Sequence, residues 1–262
     1  MVVIAVCSLK GGVGKTSVTL GLVSAARAAG LRTLVVDLDP QGDSTIGLDL
    51  DGEAASTSAL VIDQPRRRHL RAAARRSHWS DGGHAPIDVV VGGEELARHD
   101  RTDLSTRMLT SLRLVLDKVA DEHDLVIIDC PPSLGGLTRI GLTAADRAIV
   151  VTEPGVFAIA AADRALRAVH DVRTRLNPHL QPLGIVVNRV RANINEHRYR
   201  VEELASLFGP LVLTQRIPER TSIQRAQGAY APIHAFSNKG ARESAELFDG
   251  ILQHALRATR PR

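Results

Sequence analysis

The chain has 262 residues, of which 44% are hydrophobic and 24% charged, the balance of an ordinary water-soluble core. Aromatic residues make up only 3%, so Ala, Val, Leu and Ile must build the interior. No apolar run approaches the roughly 20 residues that span a bilayer, and the apolar start Met1–Cys7 lacks the basic flank of a secretory leader. The expected location is therefore the cytoplasm. The two cysteines, Cys7 and Cys130, share no CxxC spacing and read as buried thiols of a reducing compartment. The formal net charge is +4, and Asn188–Arg262 holds 12 Lys and Arg against 7 Asp and Glu, so the positive excess lies in that stretch. Such asymmetry points to a face that meets polyanions.

In chain order, the first predicted strand, Val2–Cys7, runs into Leu9-Lys10-Gly11-Gly12-Val13-Gly14-Lys15-Thr16-Ser17, and a helix is predicted over Thr16–Ala29. Closely spaced glycines let backbone amides turn inward around phosphate oxygens, and a helix N-terminus adds favourable partial charge. Lys15 is placed to reach the β- and γ-phosphates of a nucleotide, and the Thr16 hydroxyl to join a Mg²⁺ shell. The loop departs from GxxxxGK[ST]: Leu9 stands at the first glycine, and Lys10-Gly11-Gly12 follows. Of 33 basic side chains only Lys10, Lys15, Lys118 and Lys239 are lysines, and two of them sit on this loop. A compact ammonium facing concentrated negative charge explains that choice.

The second strand, Thr33–Asp37, ends in Asp37-Leu38-Asp39-Pro40-Gln41-Gly42. Carboxylates at the C-terminal end of a parallel strand face a bound nucleotide; Asp37 is expected to orient the metal's water shell, and Asp39 to bind the metal and position the attacking water. Residues 49–84 are the least regular, with Arg66, Arg67, Arg68, Arg71, Arg75 and Arg76 preceding Trp79. Their plainest reading is a solvated, partly helical surface insert; the alternative is a contact for an acidic partner or a phosphate backbone, anchored by Trp79. A strand at Ile87–Val91 and a helix over Ser105–Glu122 follow. Leu125–Asp129 then reads as a buried strand ending in an acid, followed by Cys130-Pro131-Pro132-Ser133-Leu134-Gly135. This is Walker B logic, in which Asp129 holds Mg²⁺ through water.

A strand at Ala148–Thr152, a helix at Ala158–Leu176 and a strand at Leu183–Asn188 continue the alternation, and the Asn188 amide is suited to reading a base edge. A helix at Asn195–Phe208, a strand at Leu211–Ile217 and a last helix at Ala241–Ala258 complete it. Strand–helix repetition predicts one domain, residues 1–262, built on a single doubly wound, mostly parallel sheet flanked by helices.

The KGGxGK[ST] loop, the DxDPQGxxT segment and the DCPPSLG run together resemble the ParA/MinD family of deviant Walker A ATPases, most closely the small ParA proteins. The resemblance covers nearly the whole chain and weakens over 49–84. It implies a P-loop NTPase fold, with ATP and Mg²⁺ as cofactors. Gly11, Gly12, Val13, Gly14, Lys15, Thr16 and Ser17 would bind the phosphates, and Asn188 and Pro218 the adenine. It further implies that Lys15 acts in cis and Lys10 in trans, across an ATP-dependent homodimer in which Gly11 must stay small. Asp39 would be needed for hydrolysis. By the same resemblance the dimer binds DNA without sequence preference, associates with the nucleoid, and is stimulated by a ParB-like partner. Arg191 matches a DNA-binding arginine of the family; another is replaced by Ser222, leaving Arg220 and Arg225 as neighbours able to substitute. Tyr230 stands where the family has a glycine. Thr152–Val156 leans instead towards MinD, whose terminal amphipathic helix binds membrane; the residues after Ala258 offer no such helix, so stable membrane binding is not expected. An iron–sulfur reductase sharing the loop would need a cysteine pair, which Cys7, lying within the first strand, does not supply.

Overall fold

The computed structural model describes residues 1–50 and 57–259; part of the 49–84 segment and the last three residues lie outside them. One seven-stranded sheet runs in the order β3-β4-β2-β5-β1-β6-β7. Its strands are β1 (Val2–Cys7), β2 (Thr33–Asp37), β3 (Ala74–Arg76), β4 (Ile87–Val90), β5 (Leu125–Asp129), β6 (Arg147–Thr152) and β7 (Gln181–Val187). All neighbours pair in parallel except β3 with β4. The helices of the first half are α1 (Lys15–Ala28), α2 (Asp43–Gly47), α3 (Ser58–Asp63), α4 (Arg67–Ala73), α5 (Thr106–Leu109) and α6 (Ser111–Leu116). Those of the second half are α7 (Gly136–Ala144), α8 (Ala158–Arg175), α9 (Asn195–Phe208), α10 (Thr221–Gly228) and α11 (Lys239–Thr259).

The unbroken apolar strands follow from burial on both faces. In β1, Val3, Ala5 and Cys7 point into one core, and Ile4 and Val6 into the other. In β5, Val126 and Ile128 join the first core while Leu125 and Ile127 join the second. Helices α7 and α8 cover one face; α1 and α11 cover the other, packed on each other. A side chain at Gly21 of α1 would put its Cβ 2.3 Å from the Phe248 ring of α11, so a glycine sets that close approach.

Two expectations need correction and a third is extended. Ser105–Glu122 is not one helix: it divides into α5, α6 and a short 3₁₀ turn, and at the junction Thr110 Oγ1 bonds back to the carbonyls of Thr106 and Arg107 and Ser111 Oγ to that of Met108. Leu211–Ile217 is not a strand. It touches the β7 edge through the amides of Leu213 and Ile217, while the polar Thr214-Gln215-Arg216 between them leaves the sheet. The segment read as a solvated, partly helical surface insert does carry the short helices α3 and α4, and it also supplies β3, whose Arg76 pairs with Asp88 directly opposite on β4. Arg67 and Arg71 of α4 are paired with Glu122. Trp79 is buried and donates its indole N–H to the Tyr230 carbonyl at 2.7 Å.

Candidate functional site: a phosphate-loop cleft

Strand order decides where the loops meet. Because β5 lies between β1 and β2, Val6, Asp129 and Asp37 align in register at the C-terminal ends of these strands, where the loop after β1 also emerges. Gly12 and Gly14 take the left-handed φ values +82° and +80° that bend this loop over its own helix. A Cβ at Gly14 would lie 2.3 Å from the Asn188 amide nitrogen. That nitrogen donates to the carbonyls of Val13, at 2.8 Å, and Gly14, so Asn188 pins the loop to the end of β7.

The loop lines a cleft of about 540 Å³ with Lys10 through Ser17, Asp39, Gln41, Pro132, Arg189, Gln227 and Tyr230 on its walls. At its base the Lys15 ammonium lies 2.6 Å from Asp129 and 3.4 Å from Asp39, and all three side chains are buried. Burial alone would lower the lysine pKa; the charge and hydrogen bond of Asp129, with the charge of Asp39, outweigh it and raise it. Asp129 lies beneath the cleft wall and accepts three further hydroxyl bonds, from Thr16, Thr19 and Ser44. Lys15 and Thr16 are its contacts with the cleft lining. Hydroxyl and carboxylate oxygens from Thr16, Asp39 and Asp129 form a hard donor set that suits Mg²⁺, an ion that retains waters and phosphate oxygens as its other ligands.

Asp37 does not face the cleft, contrary to expectation. Its carboxylate accepts the amide and hydroxyl of Thr45 and the amide of Asp39, organising the turn that presents Asp39. Burial, then the charge of Asp129, push its pKa up to about 7 against those hydrogen bonds. Lys10 is half exposed on the cleft rim, 2.5 Å from Glu153 at the end of β6. A Cβ at Gly11 meets nothing within 4 Å, so a size limit there has to come from outside this chain. Pro218 and Asn188 meet Ser17, Arg220 and Gln227 around a small recess beside the loop.

Arg191 and Arg220 are each ion-paired, with Glu219 and Glu243; Arg225 is exposed without an acidic partner among the described residues. Ser222 is buried with no partner for its hydroxyl among the described residues. Tyr230 takes φ +49°, the left-handed conformation that favours glycine, which gives a backbone reason for the glycine of the resembled motif.

The first 182 residues match the AAA domain family model AAA_31. The chromosome partitioning protein ParA of Myxococcus xanthus is 30% identical over 90% of this chain and 82% of its own length. Soj, the sporulation initiation inhibitor of Bacillus subtilis, is 30% identical over 88% of this chain and 89% of its own. The chain belongs to the ParA/MinD family of ATPases. Among solved structures, a Mycobacterium smegmatis protein described as cobyrinic acid a,c-diamide synthase, with bound ADP and magnesium, superposes with a TM-score of 0.81. It is 29% identical, over 99% of this chain and 97% of that one.

Sequence patterns alone miss several members of this family's cleft as built here. Thr19 and Ser44 saturate Asp129, Gln227 donates to the Ser17 hydroxyl at 2.9 Å, and Glu153 holds Lys10. Thr19 was one helical turn from Lys15 and so within reach of the same carboxylate. Gln227 and Glu153 carry no local signal, because the tertiary fold alone brings them to the loop.

Proposed function

We propose that the cleft binds ATP with Mg²⁺, that ATP closes two copies of the chain into a dimer, and that the dimer binds DNA without sequence preference to position or segregate DNA or another cargo. The observation that carries this reading is the pair of lysines. Lys15 lies at the base against Asp39 and Asp129, while Lys10 stands on the rim with open space around Gly11. The loop amides of residues 11–17 take the phosphates, and Lys15 transfers from the carboxylates to the phosphate oxygens. Thr16, Asp39 and water-mediated Asp129 hold the metal, which neutralises phosphate charge when bound. Asp39 orients the attacking water. Asn188 and Pro218 border the adenine, with the Asn188 amide nitrogen already given to the loop and its carbonyl oxygen left for the base. Lys10 leaves Glu153 for the partner copy's nucleotide. A partner protein of the ParB kind speeds hydrolysis and so ends DNA binding.

The Myxococcus xanthus relative, a chromosome partitioning protein by name, supports this reading. The diamide-synthase neighbour supports only the nucleotide. Releasing ammonia for an amidation through a cysteine nucleophile needs an accessible thiolate. Both cysteines of this chain are buried, and burial pushes the Cys7 thiol up to about 12.

Gel filtration of Asp39→Ala protein with ATP, with and without a DNA duplex, tests the reading. The expected result is a persistent dimer that co-elutes with duplex at low salt and releases it as salt rises. In the unsubstituted chain, ATP-dependent DNA binding should vanish on Arg191→Glu with Arg220→Glu. A monomer in saturating ATP, or a dimer indifferent to DNA at low salt but bound to anionic liposomes, overturns it.

A further inference from the structure

A second cavity, about 430 Å³, lies between α7 and α8, away from the lysines and glycines of the phosphate loop. Its floor is apolar, formed by Leu134, Ala168, Val172 and Leu176, and its rim carries Arg139, Arg164, Arg167 and Arg175 with one acid, Asp171. On α8 the positions 164, 168, 171 and 175 fall on one helical face, and Arg167 lies beside it. Asp163 pairs with Arg167, and Arg139 donates to the Thr102 carbonyl, but Arg164 and Arg175 are exposed and have no acidic partner among the described residues.

We infer that this groove is a docking site for an acidic, amphipathic segment of a partner protein. An apolar floor under an arginine rim complements a segment that offers Leu-like side chains to the floor and carboxylates to the rim. Arginine suits the rim because its planar fork takes a carboxylate bidentately while its methylenes extend the apolar wall. A DNA backbone would satisfy the rim and leave the floor uncovered, so the peptide is the better occupant.

The groove also shares a structural part with the nucleotide cleft. Pro132 lines the cleft and Leu134 lines the groove, and both belong to the loop that follows Asp129. An occupant pressing on Leu134 therefore touches the segment that sets Pro132 beside the phosphate loop. This coupling rests on the nucleotide reading of the cleft; the docking does not.

Fluorescence anisotropy separates the two. The probe is a fluorescein-labelled amphipathic helix of Glu and Leu, titrated with the full chain in the absence of nucleotide; a labelled DNA duplex is titrated in parallel with ATP. The peptide should bind saturably, more weakly as salt rises, and roughly tenfold more weakly to Arg164→Glu with Arg175→Glu. Ala168→Glu, which places an anion on the floor, should weaken it as well. Arg242→Glu with Arg257→Glu, on the α11 side of the sheet, should leave it unchanged. Thermal melting checks that each variant is folded. No saturable peptide binding, equal binding to the Arg164/Arg175 variant, or loss of duplex instead of peptide in that variant overturns the docking site. Peptide binding that leaves the ATPase rate unchanged overturns the coupling alone.

Discussion

Two basic regions stand out in this chain, the lysines of the phosphate loop and the arginines of residues 66–76, and the fold treats them in opposite ways. At the loop, Lys15 converges with Asp39 and Asp129 at the base of an open cleft, and Lys10 is held on its rim by a single half-buried carboxylate, that of Glu153. In the arginine segment, Arg67 and Arg71 share Glu122, Arg76 crosses the sheet edge to Asp88, and the backbone between them becomes β3. A run of like charge is therefore scaffold where acids on neighbouring elements neutralise it. It is a site where charges gather around a space that protein atoms do not fill.

Substitutions can break or sharpen that contrast. The largest effect is expected at the loop. Lys15→Ala should abolish measurable ATP binding by calorimetry and lower hydrolysis by at least about a hundredfold, since it removes the cation that faces the developing phosphate charge. Retained ATP binding would place the nucleotide elsewhere. In the scaffold region the effects should be on stability alone. Asp88 accepts bonds from Arg76 and the buried His123; although burial opposes it, these hold its carboxyl below the ordinary range. A depressed folded pKa gives stability that is present above the unfolded value and is lost as pH falls through the folded one. Asp88→Asn should therefore cost about 1–2 kcal/mol at neutral pH in urea unfolding and flatten the acid limb of the stability curve below about pH 4, with ATP affinity unchanged. The smallest effect is expected for Glu122→Gln. Its pairs with Arg67 and Arg71 are half exposed, so the loss should be about 1 kcal/mol or less. A shift in ATP affinity from either scaffold variant would show that the two regions are coupled.

How much could be read in advance differs between these regions for the same reason. β1, β2 and β5 and helices α1, α8 and α9 were legible to within a few residues, because burial on both sheet faces and helical periodicity leave a pattern in the chain itself. The loop glycines, Lys15 and Asp129 were legible because the chemistry is local: a turn needing left-handed backbone, then a helix, then a strand ending in an acid. The arginine segment was not, since β3 carries Ala74-Arg75-Arg76 rather than an apolar pattern and owes its place to β4. Nor was the break between α5 and α6 legible, since Ser244 makes the same kind of back-bond inside α11 without breaking it.

The sequence by itself determined that a glycine-rich loop, two lysines and strand-terminal acids would come from a doubly wound α/β chain, because each follows from short-range spacing. Only the tertiary structure decided what those groups touch. It placed β5 between β1 and β2, and so set Asp129 under Lys15. It brought Asn188, Gln227 and Glu153 from distant elements to the loop. Contacts between residues more than a hundred positions apart depend on strand order and helix packing, and those are properties of the assembled core that no local window contains.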